Sequence, residues 1–185
     1  MIHHADRDQQ TICAVSTPPG YGGIAVIRVS GLRALELTKK IAPGLPKSLE
    51  SHHVYFTTIV SENKSHIDEV LITYFQNGKS FTGEEVVEIS CHGNPSICEA
   101  ILSQLTRLGA RPADRGEFTY RAFMNQRIDL IQAESVLSLI ESQSEAARGL
   151  ALRQLKGELS ISIQKIEDQM TWCLAHLEEI GRAHV

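Results

Sequence analysis

The sequence predicts an α+β protein: a five-stranded mixed sheet with helices, followed by an α-helical segment. Three observations predict it. Up to about residue 120, short apolar runs alternate with turn residues. Two amphipathic stretches of helical spacing interrupt those runs. From Ile128 onward apolar residues recur at helical spacing almost to the end.

The elements follow in order. Residues 1–9 are polar and are expected to be flexible. Thr11–Ser16 reads as a strand, and Thr17-Pro-Pro-Gly-Tyr-Gly-Gly23 breaks it. Ile24–Ser30 is a second strand, with Ile24, Val26 and Arg28 on one face and Ala25, Ile27 and Val29 on the other. Arg28 is the odd charge of that strand and wants a partner, because unpaired burial is costly. Gly31–Ile41 reads as an amphipathic helix with Ser30 as its N-cap. His53–Val60 and Ile67–Phe75 form a predicted hairpin. Glu85–Ser90 is a fifth strand with Glu88 as its odd charge. Pro95–Leu108 is a helix that begins on a proline and ends on Gly109. A further helix is expected from about Gly116.

Beyond that point a helix over about 129–148 is expected. Leu152, Leu155, Leu159, Ile163, Ile166, Met170, Cys173 and Leu177 then make a single apolar stripe at spacings of three and four. Such a stripe is core, and it needs the preceding helix, further sequence or a second chain to cover it. Ile180–Val185 breaks the pattern. Glu-Ile-Gly-Arg-Ala-His-Val is also what a common sequencing adapter encodes when read through, so 180–185 is expected to be a non-native tail on a fragment.

Composition narrows the functions. The 185 residues carry 18 basic and 22 acidic side chains, net −4. That balance excludes holding nucleic acid by bulk electrostatics, though not a local basic patch. No apolar run is long enough to span a bilayer, and the N-terminus is no secretory signal. Cys13, Cys91, Cys98 and Cys173 are scattered, which fits reduced thiols and a cytoplasmic protein.

Few motifs carry chemistry. The glycine-rich segment 18–23 could cradle a phosphate, but a strand follows it where a helix would be needed, so it reads as a connecting loop. The pattern Gly-x-x-x-x-Gly-Lys-Ser/Thr occurs nowhere. Cys91, His92 and Cys98 have no standard zinc spacing, and no metal site is expected. His92-Gly-Asn-Pro95 could cap the following helix or line a pocket. No catalytic nucleophile–base arrangement is readable, so no catalytic residue is assigned. Arg28, Glu88 and Arg127 group together: an acid between two bases suits a ligand with a donor edge and an anionic group, or else makes an internal ion pair.

Several segments together resemble the N-terminal part of the tRNA-modification GTPase family MnmE, also written TrmE. They are Gln10-Thr-Ile12, Thr17-Pro-Pro-Gly-x-Gly-Gly23, Ile27-Arg-Val-Ser-Gly31, Ser80-Phe-Thr-Gly-Glu84, Glu88, His92-Gly93, Gly116-Glu-Phe118, Arg121-Ala-Phe123, Asn125 and Asp129-Leu-x-Gln-Ala-Glu134. The resemblance runs from about residue 10 to about 178.

It implies a folate-binding and dimerisation domain over 10–120, similar to the tetrahydrofolate domains of one-carbon enzymes. The first helices of a helical domain would follow over 121–179, with a GTPase domain inserted in the family's full-length members. It implies that Arg28, Glu88 and Arg127 bind a tetrahydrofolate derivative, 5-formyl or 5,10-methylene. It also implies a homodimer, an MnmG-type FAD partner protein, and modification of C5 of the wobble uridine of tRNA through the full complex. GTP, Mg and K would belong to the GTPase domain alone, so this chain by itself is expected to be inactive.

Three positions depart from the family pattern. Tyr21 stands for a usual Arg, Asn94 for a second Gly and Arg115 for a Pro. The alternative they keep open is a dimerisation and scaffold module with a decayed folate pocket.

Overall fold

The computed structural model describes residues 9–182; residues 1–8 of the expected flexible segment 1–9 and the last three residues of the expected foreign tail lie outside them. The chain divides after Arg127 into two compact units.

The first unit is a six-stranded mixed sheet. Strands β1 (Ile12–Val15), β2 (Gly22–Ser30), β3 (Val54–Val60), β4 (His66–Phe75), β5 (Val86–Gly93) and β6 (Arg111–Pro112) lie in the order β3-β4-β5-β2-β1-β6. All neighbours are antiparallel except β1 and β6. The five expected strands are present. The sixth, β6, is a two-residue strand, too short for any alternation to announce it.

Helices α1 (Ala34–Ile41) and α2 (Pro95–Arg107) cover one sheet face. Ile27 and Val29 of β2, Val87 and Ile89 of β5, and Val70 and Ile72 of β4 meet Leu37, Ile101 and Leu105 in that core. Burying each such side chain contributes about 1.5–3 kcal/mol. A third helix, α3 (Glu117–Met124), completes the unit.

Ser30 does not cap α1. It is the last residue of β2, and its hydroxyl donates to Glu84 at 2.6 Å. The first amides of the helix are satisfied from other elements: Arg33 N–H donates to Thr11 Oγ1 and Leu35 N–H to Glu85 Oε2. α2 is capped as its sequence suggests, with Asn94 Oδ1 accepting from Ser96 N–H and Pro95 in the first turn.

The other sheet face carries apolar side chains in the open. Adjacent registers place Val26, Ser90, Leu71 and Phe56 in one row and Arg28, Glu88, Thr73 and Val54 in the next. Phe56, Val54 and Leu71 are exposed. Where β2 starts and β5 ends, Gly93 lies so close to Gly22 that a Cβ would stand 2.6 Å from the Gly22 carbonyl oxygen.

The second unit has three helices, α4 (Leu130–Glu141), α5 (Glu145–Leu155) and α6 (Glu158–Arg182). A capping box between Asp129 and Gln132 starts α4. The single helix expected over 129–148 is broken: Ser142 is extended and Ser144 caps α5 by accepting from Ala147 N–H.

The apolar stripe is also split. Gly157, at φ +81°, ends α5 and turns the chain into α6. Leu159, Ile163, Ile166, Met170 and Leu177 of that stripe are exposed. α6 runs through Ile180 to Arg182, so the expected break in helical pattern at 180 is not seen in the backbone. Among the described residues, no helix is long and apolar enough to cross a membrane.

Candidate ligand site

The antiparallel register of β2 and β5 sets Arg28 directly opposite Glu88 on the open sheet face. Arg28 donates to one carboxylate oxygen twice, from Nε at 2.9 Å and from Nη2 at 2.6 Å, both to Glu88 Oε1. Glu88 Oε2 and Arg28 Nη1 take no hydrogen bond among the described residues. Both side chains are half-buried, at 28% and 27% exposure. The pair therefore retains a free acceptor and a free donor within reach of a ligand.

α3 closes over this pair from one side. The Phe118 ring lies under the Arg28 guanidinium, 5.5 Å from centroid to Cζ, a cation–π distance. A chain of charges anchors the helix. Arg121, 2% exposed, donates to Glu84 at 3.1 Å and 3.2 Å and to Glu117 at 3.0 Å. Arg111 pairs with both Glu117 oxygens, and Asp114 N–H donates to Glu117 Oε2 at 2.7 Å. Burial pushes the Glu117 carboxyl up, but these donors outweigh it and hold it below its ordinary range. Glu84 in turn accepts from Ser30 at the end of β2. Sequence reasoning did not single out Glu84 or Phe118 as site residues. Glu117 and Arg121 did leave a signal, the i,i+4 spacing of an acid and a base on one helix.

Arg127 lies beyond the end of α3. Its stem lies against Gly83, where an added Cβ would meet Arg127 Cγ at 3.0 Å. The same turn is held by Asn125 Nδ2 donating to the Thr82 carbonyl at 2.7 Å. The exposed Arg127 guanidinium makes no ion pair or hydrogen bond among the described residues. The structure joins Arg28 to Glu88 and sets the Arg127 stem beside Gly83, in the loop that leads into β5.

The other candidate residues have structural duties. His92 donates its backbone N–H to Asp68 Oδ2 at 2.8 Å and sets Nδ1 2.7 Å from Oδ1, while Asn94 does the capping. Cys91 and Cys98 sit with sulfurs 4.0 Å apart, and burial, then Cys98, pushes the Cys91 thiol up to about 12. Among the described residues, no three His, Cys, Asp or Glu side chains cluster as metal ligands would. The glycine-rich segment borders an apolar groove of about 640 Å³ lined by Thr17, Pro18, Pro19, Cys98 and Leu102. That groove is not lined by Arg28, Glu88 or Arg127.

The family model described as "GTP-binding protein TrmE N-terminus" matches residues 11–127, the whole sheet unit as it stands from β1 to Arg127. The chain is similar to the tRNA modification GTPase MnmE of Bdellovibrio bacteriovorus, 66% identical over 94% of this chain and 36% of that protein. The protein of the same name from Fervidobacterium nodosum is 45% identical over 92% of this chain and 38% of its own length. That from Thermus thermophilus is 42% identical over 91% and 40%. The chain thus spans at most about two fifths of the curated relatives it matches.

Proposed function

Since the chain belongs to the family of the GTP-binding protein TrmE N-terminus, we propose that it is the ligand-binding and dimerising part of a tRNA-modification GTPase. Its ligand is a tetrahydrofolate derivative, 5-formyl or 5,10-methylene, which supplies a one-carbon unit when bound. The longer protein acts with an MnmG-type FAD partner on C5 of the wobble uridine of tRNA, in the cytoplasm. GTP, Mg and K belong to a GTPase domain outside this sequence.

The observation that carries the ligand assignment is the half-buried Arg28–Glu88 pair, which keeps one carboxylate oxygen and several guanidinium N–H groups unspent. A purely internal ion pair would gain from closing both oxygens onto the guanidinium. Arg127, exposed and anchored by its stem, supplies a cation for an anionic group farther along the ligand. The homodimer draws support from the open face bearing Val54, Phe56 and Leu71, since apolar rows of that kind mark interaction surfaces.

A second reading, a dimerisation module with a decayed pocket, draws on Tyr21 and Asn94, which depart from the family pattern. Titration of tetrahydrofolate into the purified chain separates the two. Saturable binding that Glu88→Ala weakens about tenfold or more supports the ligand site, since a charge-assisted contact contributes about 1.5–3 kcal/mol. No saturable binding leaves the dimerisation module.

A further inference from the structure

We propose that Cys91 and Cys98 form a peroxide-sensitive dithiol, an oxidation site that a small hydroperoxide reaches through the apolar groove beside α2 and converts to an intramolecular disulfide.

The two thiols come from neighbouring elements. Cys91 lies in β5 and joins Val87 and Ile89 in the core beneath the helices. Cys98 lies near the start of α2. Their sulfurs are 4.0 Å apart. A disulfide bond is about 2.05 Å long, so the sulfurs must approach by about 2 Å. The start of α2 has room for that move, because Pro95, Cys98 and Leu102 border the groove of about 640 Å³.

The groove also divides the roles. Cys98 lines it and Cys91 does not. Cys91 donates its S–H to the Ala25 carbonyl at 3.5 Å. Burial, then the neighbouring Cys98, pushes the Cys91 thiol up to about 12, so it stays protonated and inert toward oxidants. Cys98 is therefore the thiol that meets the peroxide, and Cys91 the thiol that resolves it. Cys13, buried and outside the groove lining, takes no part.

The chemistry balances with hydrogen peroxide as oxidant. The Cys98 sulfur attacks one peroxide oxygen, the O–O bond breaks, and the leaving oxygen departs as water with the thiol proton. Cys98 is then a sulfenic acid. The Cys91 sulfur attacks the Cys98 sulfur, the S–S bond forms, the S–O bond breaks, and the departing hydroxide takes the Cys91 proton as a second water. The two sulfurs together lose two electrons, and the peroxide gains them. The product ties the end of β5 to the start of α2 around His92-Gly-Asn-Pro95 and releases the Ala25 carbonyl of β2. Thiol–disulfide exchange reverses it in a reducing compartment.

The test is a thiol map of the full chain after brief exposure to hydrogen peroxide, with remaining thiols alkylated before digestion. Trypsin cuts after Lys79 and Arg107, so both cysteines fall in one peptide, Ser80–Arg107. That peptide is expected to escape alkylation, to weigh two hydrogens less, and to recover both thiols with dithiothreitol. Its thiols should disappear at least about tenfold faster than that of Cys13. Cys98→Ser is expected to abolish the mass loss. Cys91→Ser is expected to stop at a Cys98 sulfenic acid that dimedone captures. Circular dichroism checks that each variant is folded, and the wild-type map decides even if neither is.

A Ser80–Arg107 peptide that keeps both thiols while the exposed Cys173 is oxidised would overturn the proposal. A peptide that gains oxygen without losing hydrogens would overturn it too, because Cys91 would then not resolve Cys98. A link from Cys98 to Cys13 would likewise overturn it.

Discussion

Replacing Arg121 with Met leaves Glu84 and Glu117 without the guanidinium that bridges them. Arg121 is almost wholly buried, and its nitrogens reach both acids at 3.0–3.2 Å. Removing one member of a buried ion pair costs about 3–5 kcal/mol, because the remaining charge stays desolvated. Here Arg111 still holds Glu117 and Ser30 still holds Glu84, so the lower end, about 3 kcal/mol, is expected. That is a large share of a net stability of about 5–15 kcal/mol.

The loss has a pH signature. Glu117 is held below its ordinary value of 4.5. A depressed carboxyl contributes stability above the unfolded value and loses it as pH falls through the folded one. The wild type therefore sheds this advantage below about pH 4.5, and its gap over Arg121→Met narrows. Urea unfolding followed by far-ultraviolet circular dichroism at neutral pH and near pH 4 measures both quantities. Indole fluorescence does not serve, since the single Trp172 lies on α6 in the other unit. A loss below about 1 kcal/mol at neutral pH, or a gap that does not narrow in acid, would refute the reasoning.

Gly93→Ala forces a Cβ against the Gly22 carbonyl and should destabilise the sheet unit by about 1–3 kcal/mol, read from the same urea curves; an unchanged midpoint contradicts the close approach. The chain should show no saturable binding of a fluorescent GTP analogue, since it has no phosphate loop with its lysine; micromolar binding would give the glycine segment 18–23 a role not assigned to it. Amide hydrogen exchange should be faster across Ile161–Leu177 of α6 than across β2 and β5, because α6 side chains are exposed while those strands line the core; equal protection in a dilute monomer counts against this.

What the sequence made legible was governed by periodicity. Arg28 and Glu88 stood out because a charge in an alternating apolar strand breaks a two-residue pattern. Grouping them offered an internal ion pair or a ligand contact, but the register that sets them opposite one another depends on β5 lying next to β2. Ser30 was misread because the residue types that cap helices also end strands, and only tertiary contacts with Glu84 decide between them. The stripe from Leu152 to Leu177 kept its three-and-four spacing across Gly157, so periodicity hid a break that the glycine's positive φ makes. The Ser142–Ser144 break escaped for a related reason: serine favours caps and turns, but the apolar spacing on either side outweighed that signal. Phe118 gave no signal, because an aromatic on a short amphipathic helix is ordinarily core and its cation partner lies 90 residues earlier.

The pairing of Arg28 with Glu88 spans 60 residues of sequence. A ribosome adding about 5–20 residues per second exposes Arg28 roughly 3–12 s before its partner exists. During that interval β1 and β2 can already form a hairpin whose outer edge is a run of β-branched and apolar residues from Ile24 to Val29. Such an edge is a template for the same strand of a neighbouring nascent chain. A lone arginine in its middle is what natural sequences place there to discourage that match. Replacing Arg28 with an apolar residue is therefore expected to lower the soluble yield of the chain during synthesis, quite apart from any effect on a ligand.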